Sequence, residues 1–253
     1  MVQYLDNPAG RLHKLLLDLH SATPNDQQQK NKQAWMAIVE LIDTGASLAR
    51  EASIVGAVVA LPGQIRDAVA GLDEDQERKD HLLSHLDEVE GGMSQVLSRQ
   101  SLYAMFTTFA TGGVVPQAAA INSLSHCSWA LHSDARELTI SDDDLARIIE
   151  MIKSLMTEIA EAELPSNVKR AMLNHLAALL QAAHDVRFAG TQPLDDALFA
   201  LMGATGRTGA REDLDRVGLW ARLQNAVQTV GDMLSTGESA AQIGQGITGV
   251  LGG

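Results

Sequence analysis

Residues 141–161 read SDDDLARIIEMIKSLMTEIAE. Ser141-Asp142-Asp143-Asp144 has the S-x-x-D form of a capping box, which satisfies backbone N–H groups that a helix start leaves unpaired. Behind it, Leu145, Ile148, Ile149, Ile152, Leu155, Met156 and Ile159 recur at helical spacing, and acidic residues dominate the opposite face. That period marks one face of an amphipathic helix and sets the class of the fold, all-α.

Downstream, Pro165 restarts the chain. A second helix carries Val168, Met172, Leu176, Leu179, Leu180 and Ala183, with Gly190 as its stop. A short helix over Pro193 to Met202 follows. Residues 203–211 read GATGRTGAR, small and glycine-rich, as a flexible connection would be. Beyond it, Leu214, Val217, Trp220, Leu223, Val227, Val230 and Leu234 predict one more amphipathic helix. The last segment, Ser239 to Gly253, carries no charge and places Ile243, Ile247, Val250 and Leu251 among five glycines.

Upstream, Asn7 caps a helix with Pro8 at its first position, followed by Leu12, Leu15, Leu16 and Leu19. Ser21 to Lys32 is polar and glutamine-rich, a loop. Trp35, Ile38, Val39, Leu41 and Ile42 then form an apolar face. Ile54, Val55, Val58, Val59 and Leu61 form another, stopped or kinked by Pro62, with Ile65, Val69 and Leu72 beyond. The acidic run Asp73 to Glu77 suits a helix N-terminus. Leu82, Leu86, Val89, Met93, Val96 and Leu97 make the buried stripe of that helix, and Gly91-Gly92 within it marks a bend.

The expected architecture is a multi-helix bundle over residues 1–203, a linker over 204–212, and a C-terminal amphipathic helix with a glycine-rich tail over 213–253. At 253 residues the chain can build a core without metals or disulfides, and aromatic residues at 4 % argue against an all-β fold. A net charge of −13 disfavours sequence-independent nucleic-acid binding. Cys127 is the only cysteine, which fits a reducing compartment, and Met1 to Asn7 lacks a signal-peptide pattern, so the expected location is cytoplasmic. Gln100 to Ser133 carries no Asp, Glu, Lys or Arg, but polar residues and Gly112-Gly113 interrupt it. Two short buried helices describe it better than one membrane span.

Candidate chemistry is sparse. His81 and His85, spaced i, i+4, would share a helix face with Glu88 one turn on, and three such groups could bind a transition metal. Solvated histidines beside the stripe of Leu82, Leu86 and Val89 are the simpler reading. His126 and Cys127 are neighbours, which on a helix point about 100° apart, so they form no thiol–imidazole pair. Gly203, Gly206 and Gly209 suggest a phosphate loop, but position 201 is leucine and the segment follows a helix. No cofactor, metal or catalytic residue is expected. The residues expected to bind a partner are Trp220, Leu223, Val227, Ile243, Ile247 and Val250, with the tail read first as a docking element, second as disordered because glycine makes a helix costly there, and third as a membrane anchor.

Several segments carry a resemblance. They are Asn7-Pro8-Ala9-Gly10-Arg11-Leu12 with Leu15 and Leu16, then Trp35, then Leu164-Pro165, Lys169, Leu173, His175-Leu176, Gly190, Leu194 and Gly203. In this order they are similar to a family of uncharacterised bacterial all-helical proteins, over roughly residues 6–203 as scattered positions. Arg187-Phe188-Ala189 departs from the Tyr-Arg-Ile usual there. The resemblance implies an all-helical domain and an accessory, regulatory or defence role, and brings no catalytic residues. The expected function is a non-enzymatic protein–protein interaction or regulatory protein that binds a protein partner or itself. The alternative is a membrane-acting, pore-forming effector using residues 100–133 and the tail.

Overall fold

The structure is a computed structural model that describes residues 4–22, 31–42, 47–110, 115–134, 137, 139–207 and 210–235. The fold is all-α. Its helices are α1 (Pro8–Ser21), α2 (Ala34–Ile42), α3 (Leu48–Ala70), α4 (Gln76–Leu82), α5 (Leu86–Leu97), α6 (Leu102–Phe109), α7 (Ala119–Asp134), α8 (Asp142–Glu161), α9 (Ser166–Ala189), α10 (Gln192–Arg207), α11 (Ala210–Arg216) and α12 (Trp220–Ser235). Among the described residues the only β pairing is an isolated bridge between Gln33 and Ser101.

The chain divides into two compact units, Met1–Glu137 with Arg187–Ala189, and Leu138–Val186 with Gly190–Gly253. The boundary expected at residue 203 is therefore displaced. Leu198, Leu201, Met202 and Ala204 of α10 share one buried cluster with α8, α9, α11 and α12, so residues before and after 203 belong to one core. The expected linker is mostly helical: α10 continues through Arg207 and α11 begins at Ala210. The small residues serve packing here, with Ala204 and Thr205 buried and the Thr205 hydroxyl donating to the Met202 carbonyl at 2.7 Å.

In the first unit, Asn7 caps α1 by accepting from the Gly10 N–H, and Pro8 opens the helix, as the sequence reads. α3 passes through Pro62 without stopping. Pro62 lies buried between Leu61 and Ile65, so packing outweighs the roughly 3 kcal/mol that an interior proline costs. The single helix expected after residue 73 is two. Asp75 caps α4, whose end is followed by Leu83 to His85 before α5 begins. Gly92 marks a contact rather than a bend. A Cβ there would overlap the Phe109 ring and lie 3.3 Å from the Met105 carbonyl, so α5 and α6 pack antiparallel with a glycine where they approach closely. α6 and α7 are separate helices lining the core with Met105, Phe109, Ile121, Leu124 and Leu131, and the expected break at Gly112-Gly113 lies outside the described residues.

In the second unit, Ser141 caps α8. Its hydroxyl accepts from the Asp144 N–H at 3.1 Å and donates to the Asp144 carboxylate at 2.7 Å. Leu145, Ile148, Ile152, Leu155 and Ile159 are buried against Val168, Met172, Leu176 and Leu179 of α9. Gly190 ends α9 at φ 79°, a conformation that favours glycine. The single helix expected after residue 213 is also two, α11 and α12, parted at Gly218 with φ 75°.

Candidate interaction surface

Trp220, Leu223 and Val227, expected to face a partner, are core residues of the second unit, with 8 %, 2 % and 6 % of their surface exposed. The periodicity that suggested an unpartnered face is real, but α12 turns that face inward. Arg222 pairs with Glu158 at 2.7 Å and ties α12 to α8. A crevice bordered by Leu201, Met202, Trp220, Leu223 and Val227 admits nothing larger than a water-sized guest. Ile243, Ile247 and Val250 lie outside the described residues.

His81 and His85 do not share a helix. His81 lies on α4, whereas His85 precedes α5 and bonds Glu88 through Nδ1 at 3.0 Å. Among the described residues no group of three or more His, Cys, Asp or Glu could hold a metal. Cys127 is buried and its Sγ contacts the Leu82 carbonyl at 3.2 Å. Burial pushes its thiol up to about 12, far from a reactive thiolate.

A cluster of buried and half-buried polar groups, not foreseen from the sequence, joins the start of α1 to α7. The His132 Nδ1 meets the Asp6 carboxylate at 2.5 Å, and the Tyr4 ring stacks on His132 with centroids 3.7 Å apart. Asn7 donates to Asp6 and to the Ser128 carbonyl, while Arg11 forms a two-pronged bond with Glu137 at 2.6 and 3.2 Å. The Ser128 hydroxyl donates to the Tyr4 carbonyl at 3.2 Å, so it does not stand as a nucleophile beside His132. This arrangement fastens residues 4–7 across two helices. Gly10 is required beneath it, because a Cβ there would overlap the Tyr4 carbonyl and lie 2.7 Å from the Ser128 hydroxyl.

The surface with the composition of a binding site lies where α2 meets the α5–α6 turn. The Ala34 N–H donates to the Gln100 carbonyl at 2.9 Å and the Leu102 N–H to the Lys32 carbonyl at 2.8 Å, which brings the start of α2 beside this turn. Leu97, expected in the core, is 63 % exposed, and Tyr103 is 57 % exposed six residues further on. Between them, Arg99 adopts φ 54°, the only positive φ of a non-glycine residue among the described residues. The turn closes with Gln100 N–H bonding the Gln95 carbonyl and Arg99 N–H the Val96 carbonyl, a Schellman motif with arginine in the place glycine usually holds. That substitution costs about 1 kcal/mol in backbone strain. The Arg99 guanidinium lies 5.9 Å over the Trp35 ring. Trp35 itself is half-buried against the core, and the exposed side chains here are Arg99, Tyr103 and Leu97. Tyrosine and arginine are among the residues that dominate binding energy at protein interfaces.

Comparison with protein families, with curated proteins and with solved structures returns no match.

Proposed function

We propose that the chain is a non-enzymatic protein-interaction module whose working surface is on the first unit. The observation that carries this reading is the exposure of Leu97 and Tyr103 on either side in sequence of Arg99, whose guanidinium lies over the Trp35 ring. Large apolar side chains grouped on one surface are typical of association sites. A photo-crosslinking amino acid at position 103 of the full chain, expressed in its native host, tests it. The expected product is a discrete protein adduct that is absent when the crosslinker is placed on α8 at Lys153. Adducts equal at both positions, or none at either, would remove this surface from the function.

The membrane-acting reading has one observation on its side, and it lies in α3 rather than in residues 100–133. α3 is the only described helix long and apolar enough to cross a membrane, and a third of that apolar window is buried. Dye release from vesicles containing anionic lipid is its test, and intact vesicles across lipid composition and pH would set it aside.

A further inference from the structure

We propose that the α2/α5–α6 surface binds an acidic, apolar peptide segment of a partner protein, with Arg99 receiving the carboxylate and Tyr103 and Leu97 the apolar side chains. This rests on the interaction reading above and names the chemistry of what is bound. The first support is the local charge pattern. Residues 91–110 carry one charge, Arg99, in a chain whose net charge is −13, and α2 brings the cation Lys32 with the carboxylate Glu40 beside it. Lys32 is neutralised by its ion pair with Glu40. Arg99 makes no ion pair among the described residues, and its guanidinium rests on an indole face instead. A planar fork of N–H donors held by an aromatic ring is prepared for a carboxylate.

The second support is the backbone. The Schellman position of Arg99 would be more comfortable with glycine, so the strain there is accompanied by a definite placement of the side chain beside Trp35. The third is the neighbourhood. Leu97, Tyr103 and Met36 are exposed, and α6 carries no charged residue. A ligand lying on this surface therefore meets Arg99 among exposed apolar side chains, with the Lys32–Glu40 ion pair beside it. An apolar segment with a single well-placed Asp or Glu matches that surface better than a polyanion does, and the acidic remainder of the chain repels one.

The test is selection from a displayed library of random peptides on the full-length protein, followed by binding of the enriched peptides to wild type and variants. Arg99→Gly is the central variant, because glycine tolerates φ 54° and the fold is not at risk. The expected result is enrichment of peptides with a carboxylate beside leucine or an aromatic residue, at least a tenfold loss of affinity in Arg99→Gly, a similar loss in Tyr103→Ala, partial recovery in Arg99→Lys, and weaker binding as salt rises. Peptides that lack a carboxylate, or that bind Arg99→Gly as tightly as wild type, would overturn the proposal. A protein adduct at position 103 with no dependence on Arg99 would overturn it too, while leaving the interaction reading in place.

Discussion

The two units build helical cores by different means. In the second, α8 buries one stripe of Leu145, Ile148, Ile152, Leu155 and Ile159 and turns Arg147, Glu150 and Lys153 to solvent. In the first, α3 buries Ile54, Val58, Leu61, Ile65 and Val69, yet its outer face shows Ala52, Ser53, Gly56, Ala60 and Gly63 and no charged residue from 52 to 65. The first unit also buries Asp6, Asn7, Arg11, His13 and Ser128, and it uses glycines as contact points. One unit is held mainly by apolar periodicity. The other depends as much on close approach and polar fastening, and such a core fails differently when altered.

The largest effect is expected from Leu176→Ala in the second unit, where Leu176 is fully buried. Removing it costs about 2–5 kcal/mol, through lost transfer energy and a residual cavity. Cys127, buried in the first unit, makes this informative about both. Its thiol is held up near 12 by burial, so alkylation at pH 8 reports opening of the first unit. Leu176→Ala should lower the denaturation midpoint of helical signal while leaving Cys127 labelling slow. Equal acceleration of labelling would show that the two units open as one.

Next comes Gly10→Ala, expected to destabilise the first unit by about 3 kcal/mol, since the obstructing atom is a backbone carbonyl that cannot rotate away. Gly92→Ala meets the Phe109 ring instead, and a ring can shift, so about 1–2 kcal/mol is expected. Both should speed Cys127 labelling, in that order. If Gly92→Ala proved the more damaging, the α5–α6 contact and not the Tyr4–Asn7 fastening would be the weak point of this unit. Ser141→Ala removes a cap from α8 and should cost about 1 kcal/mol in the second unit alone, read as a lower midpoint with labelling unchanged.

These differences also explain what the sequence revealed. α8 and α9 are legible because each helix has one inward stripe, and a period of 3.6 residues reports it directly. The caps at Asn7 and Ser141 are legible because they are local chemistry. Leu97 was misplaced because it adjoins Val96 in an apolar run, and only the turn that follows decides which of the two faces in. Trp220, Leu223 and Val227 were misplaced for the converse reason. Periodicity shows that a face is apolar, not whether its partner is another helix of the same unit. The breaks within residues 82–97 and 214–234 interrupt neither pattern, so a continuous helix was the natural reading. Arg99 carried a faint signal, the single charge in residues 91–133, but its positive φ has no signature in a residue that is not glycine.

The smallest expected effect tests whether the second unit, so regular in its apolar packing, carries electrostatic strain. Asp195 sits in the first turn of α10, where the helix dipole favours an anion. Yet one of its carboxylate oxygens is buried without a hydrogen-bond partner, and burial, with Asp196 adjacent, raises its pKa above the ordinary carboxylate value. A carboxyl with a raised pKa holds its proton more tightly folded than unfolded, so its contribution favours folding below the unfolded value of about 3.9 and is lost as pH rises through the folded value. At pH 7 the ionised group works against the fold. Asp195→Asn should raise the stability of the second unit there by less than about 1 kcal/mol, after allowance for screening of a half-exposed group. The gain should shrink to nothing in thermal melts below about pH 4. A gain that persisted undiminished at low pH would mean that amide hydrogen bonding, not relief of a strained charge, is responsible. A loss at pH 7 would mean that the dipole prevails, and that the second unit's helix ends are as well matched to their charges as its stripes are to its core.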